Sequence, residues 1–200
     1  MLNIKEWLVN PDTLQFVNDE LLNIEYSPYE AESLSKWEMD SLSYYYHEHE
    51  LSHVNKEKYG IVDFSQLNQQ PKVVDTYVSR GIERQVYELT RIAGTVLDKD
   101  KNKYTVSILT TDGVVIVKMY AGAFSYYNKQ ISEKDSNGKK TVLESSWFTR
   151  GNKILLTGFR RGNQFIPRKY KDSVYQHTIA LIHDVDDQGN LSLQTERIRD

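Results

Sequence analysis

The 200-residue sequence has no cysteine. Disulfides, thiolate nucleophiles and cysteine-based zinc sites are therefore excluded, and any metal centre would rest on histidine and carboxylates. Proline is scarce, at 4 residues, and the longest apolar runs, such as residues 179–182, fall far short of the roughly 20 that a helix needs to cross a bilayer. No membrane partner is expected. The first ten residues, MLNIKEWLVN, lack both the basic start and the apolar stretch of a secretory signal, so the expected location is the cytoplasm. The patterns G-x-x-x-x-G-K-[ST], G-x-G-x-x-G and G-x-S-x-G are also missing. Phosphate cradles and hydrolase triads thus have no support, and no cofactor is expected.

What the sequence does have is a strong charge asymmetry beneath a formal net charge of −3. Residues 1–90 carry 7 Lys/Arg against 16 Asp/Glu, residues 91–171 carry 16 against 6, and residues 172–200 carry 2 against 6. A basic stretch of this kind is the electrostatic footprint of a polyanion partner, because neutralised phosphates release their condensed counterions. Charge alone fits solubility equally well.

The periodicity divides the chain. Residues 1–70 read as a helical segment, with a helix start at Ser27-Pro28 and an apolar stripe of Leu34, Trp37, Met39, Leu42 and Tyr45. Residues 71–84 read as a linker. From residue 85 the period becomes two, with strands over 86–97, 103–110 and 114–121, a short helix over 123–130, and further strands over 153–161, 164–167, 177–185 and 190–195. Residues 132–140 read as a solvated loop. Three strands, a short helix and more strands is the order of an OB-fold. The expected class is therefore α+β, an N-terminal helical segment followed over 85–200 by an antiparallel OB-type barrel of five or more strands.

Alternation assigns faces. Tyr104, Val106 and Ile108, with Val115, Val117 and Met119, belong to the core side, leaving Lys118 and Tyr120 on the other. In the fourth strand Ile154, Leu156 and Gly158 oppose Lys153, Thr157, Phe159 and Arg161. The outward set mixes cations for phosphates with rings on which bases stack, each stacked base contributing roughly 1–3 kcal/mol. The candidate binding residues for single-stranded DNA are Lys103, Lys118, Tyr120, Lys153, Phe159, Arg160, Arg161, Phe165, Arg168 and Lys169. β-propensity by itself also places tyrosine and phenylalanine at such positions.

One local pattern points elsewhere. His49-Glu50-Leu51-Ser52-His53 fits H-E-x-x-H, in which His49 and His53 on one helix face would hold zinc and Glu50 would act as general base. A third ligand in a recognisable context is missing. Asp184, Asp186 and Asp187, grouped before Gly189, read as turn residues rather than as a cation site.

Two runs carry a family resemblance. WEMDSLSYYYHEHEL, from Trp37 to Leu51, resembles the helix ending in a Leu-Gly-Phe-Tyr-Leu-Ser-Gly-His-Pro-Leu type of motif in the bacterial DNA polymerase III alpha subunit. Leu42, Tyr45, His49 and Leu51 fall on matching positions, which makes H-E-x-x-H accidental. IAGTVLDKDKNK from Ile92, with residues 115–120, Trp147-Phe148 and Gly158-Phe159-Arg160-Arg161-Gly162, is similar to the OB domain that follows in that subunit, particularly in forms from Firmicutes and their phages. The resemblance implies a non-catalytic module that contacts the single-stranded template, with the remaining polymerase domains on another chain as partners. The catalytic palm of the family is absent from these residues, and no convincing clamp-binding motif precedes Trp37.

Overall fold

The computed structural model describes residues 10–30, 38–39, 41–42, 46, 48–134, 138–171 and 173–198; within them, the side chains of 22–23 and 25–30 are not described. Contacts divide the chain into two units, Met1–His47 and Glu48–Asp200.

In the first unit, helix α1 spans Pro11–Glu30. Its start is chemically specified. Proline at the first helical position gives up an amide that would be unbonded anyway, and the Asn10 side chain accepts the Asp12 amide at 3.0 Å. The expected start at Pro28 is displaced, since Pro28 lies in the last turn of α1. Leu34, Trp37 and Tyr45 of the expected stripe lie outside the described residues; of the others, Met39 is buried and Leu42 exposed.

The second unit is mostly β. Residues 48–70, counted on sequence with the helical segment, hold only the short helix α2 (Lys56–Tyr59) and a 3-10 turn at Phe64–Gln66. The stretch expected to be a linker contains β1 (Val73–Ser79), which pairs with β2 (Ile82–Tyr87) across an Arg80-Gly81 turn where both residues have positive φ. Then come β3 (Thr90–Asp100), β4 (Thr105–Thr110), β5 (Gly113–Lys118), helix α3 (Ala121–Asn128), β6 (Ile131–Lys134) and β7 (Lys140–Glu144). The chain continues with β8 (Lys153–Arg161), β9 (Gln164–Pro167), β10 (Ile179–Val185) and β11 (Leu191–Gln194). Residues 132–134 and 140 of the expected loop instead belong to β6 and β7, which pair with each other.

Strands β8, β3, β4, β5 and β9 lie side by side in that order, and β9 pairs back onto β8. The ring is closed. Five strands cannot alternate direction all the way round, so one neighbouring pair must be parallel; it is β5–β9, a departure from the all-antiparallel expectation. The closed five-strand barrel, with α3 between its third and fourth strands, is consistent with an OB-like fold. Strands β10 and β11 extend the sheet beyond β8.

Alternating β-branched residues drive this closure. Val106 and Ile108, Val115 and Val117, Ile92 and Val96, Ile154 and Leu156, and Phe165 fill the interior, and Phe124, Trp147 and Phe148 join the same cluster. Two glycines mark where backbones approach too closely for a side chain. A Cβ at Gly94 would lie 2.7 Å from the Leu109 carbonyl oxygen, and one at Gly158 would run into the Ile166 carbonyl. Tyr104, expected on the core side, instead sits in the turn before β4 with φ of 52° and its ring edge-on to Phe124.

The outside of the barrel is unevenly covered. Leu51 and Val54 pack with Ala93, Leu155, Ala180 and Ile182 in a second apolar cluster, with Tyr59, Ile61 and residues of β11 around it. That cluster buries the outer surface around Ala93 of β3, Leu155 of β8 and Ala180 and Ile182 of β10, so the free outer surface is that of β4, β5 and β9 with the Arg161 end of β8. Among the described residues, no helix is long and apolar enough to cross a membrane.

Candidate nucleic-acid interface

Because Val117 and Phe165 point into the barrel, their neighbours Ile116, Lys118, Gln164 and Ile166 face out, and Arg161, paired opposite Gln164, faces out with them. Tyr120 and Arg168 follow at the ends of β5 and β9. The Arg168 guanidinium lies 5.6 Å from the centre of the Tyr120 ring and 5.7 Å from that of Tyr170. The Tyr170 hydroxyl oxygen accepts the Tyr87 amide at 3.1 Å. Tyr87 in turn packs against Phe159, centroids 4.6 Å apart with the ring planes tilted by 49°, and carries Arg161 at 5.4 Å from its ring centre. The result is a ladder of two cations and three rings in the order Arg161, Tyr87, Tyr170, Arg168, Tyr120. Each arginine keeps a delocalised, weakly hydrated charge against a ring face, a contact worth about 0.5–1 kcal/mol at exposed sites.

Sequence reasoning supplied Tyr120, Arg161 and Arg168 of this ladder and missed Tyr87 and Tyr170. Tyr87 falls at the start of the expected strand over 86–97. The chain in fact leaves its ladder at Glu88-Leu89, so that β2 pairs with β1 and β3 pairs with β4 and β8. Tyr170 follows Arg168 and Lys169 in a segment with no strand period, and only composition could have drawn attention to it.

The other candidates divide by burial. Lys118 is half-buried beside the ladder and its ammonium donates to the Lys103 carbonyl; Lys103 is exposed, 3.7 Å from Asp100. Lys169 is exposed and donates to the Gln176 carbonyl at 3.1 Å. Four candidates are placed where they hold the fold. Phe165 is fully enclosed in the barrel, and Phe159 lies under Tyr87 and Arg161. Arg160 donates to the carbonyls of Gly162, Phe64 and Leu67 and covers the Phe64 ring at 4.4 Å, tying that segment to β8. Lys153 forms a 2.7 Å ion pair with the Glu50 carboxylate, which is only 9% exposed. Residues 48–70 claim two of these, Glu50 pairing with Lys153 and the Phe64 and Leu67 carbonyls accepting from Arg160, a cover that alternation alone could not foresee.

That same cover answers the H-E-x-x-H pattern. No helix spans residues 48–54, of which 50–53 form a turn. The His49 Nε2–H donates to the Leu109 carbonyl at 3.0 Å while Nδ1 accepts the Leu51 amide at 3.0 Å. Both ring nitrogens are engaged by backbone. Burial holds the His49 pKa below its ordinary value, against the Leu109 contact that favours the proton. His53 is exposed, and among the described residues no three histidines or carboxylates gather to hold a metal. Asp186 acts in its turn, accepting the Gln188 and Asn190 amides and the Asn190 side chain; those bonds, led by Asn190, hold its carboxyl below the usual range.

With this geometry in view, comparison with known proteins is informative. The chain is 54% identical over 197 residues to the Probable DNA polymerase YorL of Bacillus subtilis strain 168. It is similar to part of a DNA polymerase. The same identity and length are found with the DNA-directed DNA polymerase of Bacillus phage SPbeta. Each match takes in 98% of this chain but spans only 15% of the relative's length. No family model matches the chain, and no solved structure does.

Proposed function

We propose that this chain is the single-stranded-DNA-binding OB module of a DNA polymerase III alpha-like protein, non-catalytic by itself, which holds template strand during replication alongside the other polymerase domains. The observation that carries the reading is the Arg161–Tyr87–Tyr170–Arg168–Tyr120 ladder on the free outer surface of a closed barrel. Unpaired strands need cations spaced along a backbone and flat faces for bases between them, and the ladder supplies both in one row. The basic excess of residues 91–171 adds the long-range attraction. Similarity to part of two polymerases supports the same reading.

Fluorescence anisotropy with a labelled oligothymidylate at low and moderate salt tests this. Micromolar or weaker binding that falls steeply with salt, and a weaker response to a duplex of equal length, is expected. Equal affinity for duplex and single strand would contradict the reading, because a duplex offers phosphates but no open base faces.

A further inference from the structure

A groove of about 400 Å³ opens beside the ladder, between the β1–β2 hairpin and the loop after β9. Its size falls in the range of small-ligand sites, roughly 300–1,000 Å³. Val74, Val86 and Tyr87 line it from the hairpin side, and Tyr170, Val174 and Tyr175 from the loop. Three of these six are aromatic rings, and each is held by a contact of its own. Tyr87 is packed against Phe159 and covered by Arg161. Tyr170 is fixed by the Tyr87 amide. Tyr175 lies against the Arg91 guanidinium at 4.3 Å, and Arg91 is itself anchored by Thr157 and the Tyr59 carbonyl.

We propose that this groove receives one unpaired nucleobase of the bound strand, turned out of the row of stacked bases; the inference rests on the strand-binding reading above. Two walls of the groove are also rungs of the ladder. Arg161 covers Tyr87 and Arg168 covers Tyr170, so a strand whose phosphates meet those two arginines passes the groove's edge. A base that enters exchanges water for aromatic and branched aliphatic surface, with Asp75, Glu88 and Ser173 also in the lining to meet its polar edge, while its phosphate stays with the cations. A base held in a duplex is already stacked and its edge already bonded, so only an unpaired one can make the exchange cheaply. The rings are pre-positioned by their own contacts, which limits the ordering cost of binding.

The test uses the whole chain and a labelled oligothymidylate in which a single abasic site is moved along the strand. At one position, loss of the base weakens binding about five-fold or more, the lower end of what stacking one base supplies, while other positions respond less. Val74→Trp and Val174→Trp fill the groove from opposite walls at exposed positions, Val174 being 90% exposed, so folding is retained. In both variants the position effect disappears while salt-sensitive binding persists. A flat abasic scan in the wild type, or an unchanged scan in both tryptophan variants, overturns the proposal and leaves the groove to an apolar side chain of a protein partner. Absence of any salt-sensitive binding would instead overturn the strand-binding reading itself.

Discussion

The Arg161 guanidinium lies over the Tyr87 ring and donates to the Tyr87 phenol oxygen at 3.1 Å. Two residues 74 positions apart in sequence are thereby joined on the surface, and the pair rests on Phe159 beneath. Tyr87→Phe removes that bond and the one the hydroxyl donates to Gln85 Oε1 at 2.8 Å, both at the surface, and should cost no more than about 1 kcal/mol of stability. Tyr87→Leu also removes the ring contact with Phe159 and should cost about 1 kcal/mol more. Urea unfolding of the two variants measures the difference.

Tyr120 and Phe165 should behave oppositely. Tyr120 is 63% exposed, so Tyr120→Ala should leave stability within about 0.5 kcal/mol and weaken oligothymidylate binding by about 1–3 kcal/mol. Phe165→Ala should destabilise the barrel by about 3–5 kcal/mol, the cost of emptying a packed aromatic site. Its effect on binding should vanish once the folded fraction is taken into account.

Burial keeps His49 neutral in the fold, so its folded pKa lies below the 6.5 of an unfolded histidine. As pH falls through 6.5 the unfolded chain takes up a proton that the folded chain refuses, and stability declines until the folded pKa is passed. Thermal melting between pH 7.5 and pH 5.5 should show this decline in the wild type. It should be smaller in His49→Gln, which retains a donor and an acceptor but does not titrate.

Glu144 is a junction for the end of the chain. Its carboxylate accepts from Trp147 Nε1 and Gln194 Nε2, both at 2.7 Å, and from Arg197 Nε at 3.0 Å, with the Arg197 side chain only 1% exposed. Arg197→Met removes the cation from beside a carboxylate that stays buried and should cost about 3 kcal/mol. The measurable result is a lower denaturation midpoint with an unchanged slope on denaturant.

The barrel was legible because its strands are amphipathic with a clean period of two. The bounds of β8 and β9 agree with the alternation of Ile154 and Leu156 against Lys153 and Arg161 and with the Gly162-Asn163 turn. The β1–β2 hairpin was harder to read. Its residues are mostly exposed on both sides, Val78 at 73% and Ile82 at 59%, so burial imposes no pattern on them. The candidate surface was legible where a strand has one covered face, as at Lys118 next to Val117. It was lost where a second element covers the outside, as Leu51 and Val54 do beside Leu155. A lone strand cannot tell which of its two faces another segment will claim.

The most direct test of strand binding through the ladder is the salt dependence of oligothymidylate affinity in the wild type and in the double variant Arg161→Ala/Arg168→Ala. Each lost phosphate contact on a single strand lowers the slope of log affinity against log salt by about 0.7. The account predicts a fall of about 1.4 in the double variant, with weaker binding at low salt. An unchanged slope with unchanged affinity would contradict it.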